Sequence, residues 1–153
     1  MAKVEALVGI ILIAIVIVIL LSVIFWRLFV RRHRTPDIFE DMEGHEFEYF
    51  CADLLKQKGF VDVEVTKGSG DYGVDILAEK DGITYAIQCK RYTAPVGVKA
   101  VQEAYAGRDY YDRMVGAVMT NQYFTSPAVD AAKKLKILLW DGGYMESMMD
   151  EDR

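Results

Sequence analysis

The sequence is short of the residues that staple a fold together: its 153 positions hold two cysteines, two histidines and three prolines. Cys51 and Cys89 fall in separate elements without metal-ligand spacing, and His33 and His45 have no partner at such spacing. This argues against a disulfide framework and against a structural zinc site, and it reads the two thiols as reduced and buried. Positive charge is scarce where the chain is globular. From Thr35 onward there are 13 Lys and Arg against 22 Asp and Glu, a net charge near −9. Neutralising phosphates takes Lys and Arg, so bulk charge does not supply strong non-specific binding to nucleic acid. The glycine-rich stretch Lys67–Gly73, KGSGDYG, lacks the Gly-Lys-Ser/Thr ending of a nucleotide-binding loop and runs into a strand rather than a helix, which rejects that function. Internal repeats and low-complexity stretches are also missing.

What the N-terminus lacks is charge. Ala6 to Trp26 is a run of 21 residues without a charged side chain. At about 1.5 Å per residue it matches a hydrocarbon core of about 30 Å, and Trp26 falls where aromatic side chains favour the interface. The run is too long for a signal peptide and no small-x-small cleavage site follows it. The reading is a transmembrane helix within residues 4–30, then a basic juxtamembrane linker over residues 31–41. Arg27, Arg31, Arg32, His33 and Arg34 flank the run on its C-terminal side, whereas Lys3 is offset by Glu5 on the other. The positive-inside rule then expects a single-pass cell-membrane protein with its N-terminus outside and its C-terminal domain cytoplasmic. The arginines suit contact with anionic lipid, which makes the lipid membrane the first expected partner.

The remainder is expected to be one α/β domain over residues 42–143, with an acidic, frayed tail over residues 144–153. Phe47, Phe50, Cys51, Leu54 and Leu55 recur at helical spacing between Met42 and Lys58, and Gly59 stops that helix. Val61, Val63 and Val65 alternate with polar residues as a strand. Strands follow at Val74–Lys80 and Ile83–Tyr92, joined by the hairpin pair Asp81-Gly82. A helix is expected from Pro95 to about Tyr111, a strand at Met114–Thr120, a helix capped by Ser126 with Pro127 at its first position, and a last strand at Ile137–Trp140. Tight joints imply antiparallel strands first, and helical connections imply parallel strands later. The expected fold is a mixed central sheet flanked by helices.

One hairpin gathers chemistry. Asp75 begins its first strand, and Gln88 and Lys90 lie two apart on its second, so they share a face that Cys89 does not. Pairing Lys80 with Ile83 across the turn sets Asp75 opposite Gln88. A carboxylate, an amide oxygen and an ammonium then meet, with the backbone carbonyl of Cys89 beside them. Oxygen donors of this kind suit a hard cation such as Mg²⁺, and a neighbouring lysine can orient water and hold developing negative charge. Each residue alone has a bland reading: a turn cap for Asp75, an edge residue for Gln88, a solvated strand end for Lys90. The tyrosines Tyr105, Tyr110 and Tyr111 read as packing rather than base stacking.

The stretches GSGDYGVDIL and AIQCKRY resemble the nuclease core of the Mrr-like type IV restriction endonucleases, members of the PD-(D/E)XK superfamily. GHEFEYFCADLLKQKGF is similar to that family's first helix, and MVGAVMTNQYFTSPAVDAAKKLKILLWDG to its C-terminal half. The resemblance implies a restriction-endonuclease-like fold and a DNA endonuclease using Mg²⁺ or Mn²⁺. It implies Asp75 as the metal-binding aspartate, Gln88 and Lys90 as the Q-x-K element, and Glu48 as the first-helix glutamate that approaches the metal, often through water. Asp71, in the glycine-rich turn, and Gln102, on the following helix, are secondary candidates. The implied partner is DNA, with a homodimer as the usual way to cut both strands. A membrane run stands where the restriction enzymes carry a DNA-recognition domain, which sets restriction itself in question. The alternatives are a non-catalytic nucleic-acid-binding or scaffold module that retains the fold at the membrane, and a membrane-complex subunit that docks a protein partner.

Overall fold

The computed structural model describes residues 12–25, 39, 41–67 and 72–150. It divides the chain into two compact units, Met1–Arg34 and Thr35–Arg153. In the first unit, residues 12–25 form helix α1, whose side chains are exposed. Among the described residues no helix is long and apolar enough to cross a membrane. The rest of the expected Ala6–Trp26 span, residues 6–11 and 26, lies outside the described residues.

The second unit carries α2 (Gly44–Gln57), β1 (Val61–Val65), β2 (Ile76–Lys80), β3 (Ile83–Lys90), α3 (Val98–Tyr110), β4 (Val115–Thr120), α4 (Ser126–Leu135), β5 (Ile137–Trp140) and α5 (Gly142–Asp150). The strands lie in one sheet in sequence order, β1-β2-β3-β4-β5. β1, β2 and β3 are antiparallel, and β3, β4 and β5 are parallel. The mixed sheet expected from the connections is the one observed. Helices cover both faces because both carry apolar side chains.

One layer is bulky. Phe39, Phe47, Cys51 and Leu55 pack with Ile76, Ile87, Cys89, Met119 and Trp140 of the sheet and with Met145 and Met148 of α5. The opposite layer is built from small residues. Ala100, Val101 and Ala104 of α3 and Ala128 and Ala132 of α4 cover Val118 and Ile137.

Several boundaries differ from the sequence reading, each for a local reason. The tail is no frayed end: Gly142–Asp150 is helical and buries Met145 and Met148, so burial of apolar area outweighs the acidic composition. Phe39, expected in the linker, is 1% exposed and packs edge-on against Phe47 and Phe50. The α3 helix starts after Gly97 rather than at Pro95, because Val96 is engaged in a parallel bridge with Phe124. The cap of α4 is Thr125, whose hydroxyl accepts from Ala128 N at 3.4 Å, one residue before the expected Ser126. β1 slips register between Val61 and Glu64, with Asp62 at φ +49°, so Val61 faces solvent while Val63 and Val65 pack inward.

Candidate active site

The hairpin β2–β3 sets the register of the site. Lys80 pairs with Ile83 and Ile76 with Ile87; β2 begins at Ile76, so Asp75, expected inside the strand, lies just before it and meets Gln88 through its side chain. Asp75 is fixed by its backbone on both sides: its N–H donates to Ile87 O at 2.9 Å and its carbonyl accepts from Thr66 N at 2.9 Å. The strand period then sends Cys89 into the bulky layer and Gln88 and Lys90 toward α3.

Glycine brings the turn and α3 together. Gly73 has φ +78°, and a Cβ there would lie 2.8 Å from Glu103 Cβ. A Cβ on Gly107 would meet Val74 Cγ2 at 2.2 Å. With no side chain at either point, the backbone before Asp75 lies against the helix. The result is a cleft of about 500 Å³ lined by Asp75, Gln88, Lys90, Lys99, Gln102 and Glu103, with Tyr72 and Gly73 at its edge.

At the floor of the cleft, Asp75 is 7% exposed and Gln88 3%. Asp75 Oδ2 accepts the Cys89 backbone N–H at 2.6 Å and also accepts from Gln88 Nε2. Gln88 Nε2 reaches the Cys89 carbonyl as well, at 3.2 Å. One amide nitrogen thus bridges a carboxylate oxygen and a backbone carbonyl oxygen. Gln88 Oε1 is buried and has no hydrogen-bond partner among the described residues. Leaving a buried acceptor unmet costs about 1–3 kcal/mol. The donor set fits a hard divalent cation. Turning the amide half round replaces the N–H donor by Oε1, and three oxygens (carboxylate, carbonyl and amide) then face one point. No group of three or more His, Cys, Asp or Glu that could hold a metal occurs among the described residues, and this set of donors is not of that kind.

The Cys89 thiol packs in the bulky layer, away from the cleft. Contact with Cys51, then burial, then the charges of Asp75 and Glu48 push its pKa well above the ordinary thiol value, so it stays protonated. Only its main chain faces the site chemistry.

Lys90 is held from two sides. Its carbonyl accepts from Thr120 Oγ1 at 2.6 Å, and its Nζ lies 2.8 Å from Glu103 Oε2. The latter is a close, partly buried charge pair. Burial alone would lower the Lys90 pKa, but Glu103, with smaller help from Tyr92 and Asp75, outweighs it and raises the value. Lys90 is therefore an ammonium that can stabilise negative charge, not a base that takes a proton.

The other sequence candidates are placed differently. Gln102 lines the cleft from α3 but is exposed. Glu48 lies on α2, in the other layer, and is not among the cleft's lining residues. Its Oε2 pairs with His45 Nδ1 at 2.8 Å, and its charge is felt at the Cys89 thiol. Asp71 lies outside the described residues. Sequence reasoning missed Glu103 and Tyr72. The signal for Glu103 was its neighbour Gln102 on the same helix, but which of the two turns toward Lys90 depends on how α3 sits on the sheet.

The restriction endonuclease family model matches residues 39–149. No curated protein matches the chain. Among solved structures, the fold is similar to that of AF1548, a protein of unknown function, at 24% identity and a TM-score of 0.62, covering 72% of this chain and 67% of that one. It is also similar to MspJI restriction endonuclease in complex with a 27-mer oligonucleotide, at 19% identity and a TM-score of 0.56, covering 72% of this chain and 28% of that one. A third likeness is to the DNA modification-dependent restriction endonuclease AspBHI, at 18% identity and a TM-score of 0.54, covering 69% and 30%. The chain spans under a third of the length of either restriction enzyme, and identities this low establish a shared fold only. The family match runs from the core residue Phe39 into α5 and includes every described element of the cleft, and on that match this chain belongs to the Mrr-like restriction endonuclease family.

Proposed function

We propose that this chain is a membrane-tethered endonuclease that hydrolyses DNA phosphodiester bonds with a divalent cation, Mg²⁺ or Mn²⁺, and that it restricts foreign or modified DNA. The observation that carries the reading is the buried Gln88 amide, which bridges Asp75 Oδ2 and the Cys89 carbonyl while its own Oε1 goes unmatched. Asp75, the Cys89 carbonyl and Gln88 Oε1 would hold the cation; the family resemblance adds Glu48, through water and from outside the cleft lining, and Asp71 as a further carboxylate. A divalent cation bound there supplies Lewis acidity toward a phosphate oxygen and toward the attacking water. Lys90 positions that water and meets the charge that develops on the phosphate. Gln102, Lys99 and Tyr72 border the cleft where a strand would enter. DNA as the substrate is supported by the family and by the oligonucleotide held by MspJI, and modified DNA by the description of AspBHI. Tethering rests on the uncharged run and its arginine flank, which orient the second unit to the cytoplasm.

The test is plasmid cleavage by residues 35–153, the second compact unit, with Mg²⁺ or Mn²⁺. Cleavage should vanish on chelation and in Asp75→Asn and Lys90→Ala proteins that melt like the parent. Cleavage retained in both variants would refute the site. No cleavage by a folded fragment, alone or on membranes, would favour the second reading, a non-catalytic module, which the net charge near −9 of the soluble part favours. Tethering is checked separately: the full chain should resist alkaline extraction from membranes, and a chain lacking residues 1–34 should not. Sedimentation of the fragment with and without a DNA duplex tests the homodimer needed for cutting both strands together.

A further inference from the structure

Gln88 brings an amide where a carboxylate would bring charge. Among the direct ligands Asp75, the Gln88 amide oxygen and the Cys89 carbonyl, a cation would find a single formal negative charge. Hard divalent cations are bound more tightly as the number of charged oxygens rises. The cleft contains a second carboxylate in Glu103, whose Oε2 is buried and paired with Lys90, while Gln88 Oε1 is buried and has no hydrogen-bond partner among the described residues. Gln88 is 3% exposed, so its unmatched oxygen is not satisfied by bulk water. The turn that carries Asp75 is pressed onto Glu103 itself, since a Cβ on Gly73 would touch Glu103 Cβ at 2.8 Å and its carbonyl oxygen at 3.0 Å. The charge nearest Glu103 is Lys90, with Nζ 2.8 Å from Oε2, whereas Lys99 sits 3.7 Å from Oε1 and is 87% exposed.

We infer that Glu103 supplies the cation with the carboxylate that Gln88 lacks, and that the cation and Lys90 compete for it. Without a cation, the ammonium of Lys90 neutralises Glu103. When the cation takes the carboxylate, Lys90 is released to face the substrate phosphate. The same carboxylate thus contributes to metal affinity and couples metal loading to the freeing of Lys90. This rests on the metal-dependent reading above, and it makes a prediction that a merely structural ion pair does not. Removing Lys90 should tighten metal binding, because it removes the competitor and a like charge, while removing Glu103 should weaken it.

The experiment is calorimetric titration of the full-length chain in detergent with Mn²⁺, without substrate. Glu103→Gln should weaken Mn²⁺ binding by about tenfold or more, in the range found for residues that support a metal site. Lys90→Met should tighten it by about tenfold, although it cannot support cleavage. Asp109→Asn, on the same helix and outside the cleft, removes one negative charge and should leave the affinity at the parent value, which separates ligation from the overall field. A folded Glu103→Gln protein with parental affinity, or a Lys90→Met protein that binds no better than the parent, would overturn the inference and leave the metal reading standing, provided Asp75→Asn still abolishes binding. No Mn²⁺ binding by the folded parent would overturn both. Thermal melting in the absence of metal, run on each variant, confirms that the affinities compare folded proteins.

Discussion

The two faces of one sheet have been put to different uses, and strand β3 shows it residue by residue. Ile87 and Cys89 enter the layer under α2 and α5, where Phe47, Met119, Trp140 and Met145 leave little room for polar groups. Gln88 and Lys90, between and beyond them, face α3, whose buried residues are Ala100, Val101, Ala104 and Gly107. Bulky side chains fill the first layer and hold it by buried area. Small ones in the second let a helix and a turn approach closely, and the polar cleft opens at the end of β3. The polar cleft and the bulky packing are thereby separated onto opposite sides of the sheet.

That separation can be broken selectively. The largest effect is expected from Asp75→Asn, which keeps the shape but removes the charge on the cation side: cleavage of plasmid should fall by at least about a thousandfold. Next is Gly73→Val. It forces a β-branched residue to φ +78° and a Cβ to within 2.8 Å of Glu103 Cβ. The strain of about 1–3 kcal/mol should push the turn off α3, and a displacement near 1 Å is enough to reduce cleavage by about a hundredfold. Single-turnover cleavage set beside a melting curve should show a larger loss of rate than of stability. On the opposite face the order should reverse. Met145→Ala, at a fully buried position of α5, should cost about 2–5 kcal/mol in denaturant titration, with the rate per folded molecule kept within about twofold of the parent, the scatter expected where no contact to the site is touched. A Met145→Ala protein that stays stable but loses its cleavage would show that the two layers are not independent. The smallest effect belongs to Lys99→Ala. Its pair with Glu103 is 3.7 Å long and exposed, so melting should shift by no more than about 0.5 kcal/mol.

Much of the site was legible in the residues because it is local in the chain. Asp81-Gly82 fixes a two-residue turn, the turn fixes the register, and the register sets Asp75 against Gln88 with no help from the rest of the molecule. The period of two then puts Gln88 and Lys90 together. The Q-x-K spacing added a family resemblance to that geometry. Glu48 and Glu103 show where this reasoning stops. Both are helical glutamates far along the chain from the hairpin. The resemblance pointed to the first, which the fold puts in the layer beside Cys89, and nothing local pointed to the second, which the fold sets against Lys90.

The amino-acid order by itself determined the α/β alternation, the antiparallel-then-parallel sheet and the pairing across the β2–β3 hairpin, because each follows from periodicity, turn chemistry and connection length over a few residues. Only the tertiary structure decided that the acidic tail is a helix, that Phe39 is core, and that Glu103 rather than Gln102 meets Lys90. Those outcomes depend on apolar area buried between distant segments and on two glycines that let a turn touch a helix. Neither quantity is carried by any short window of sequence.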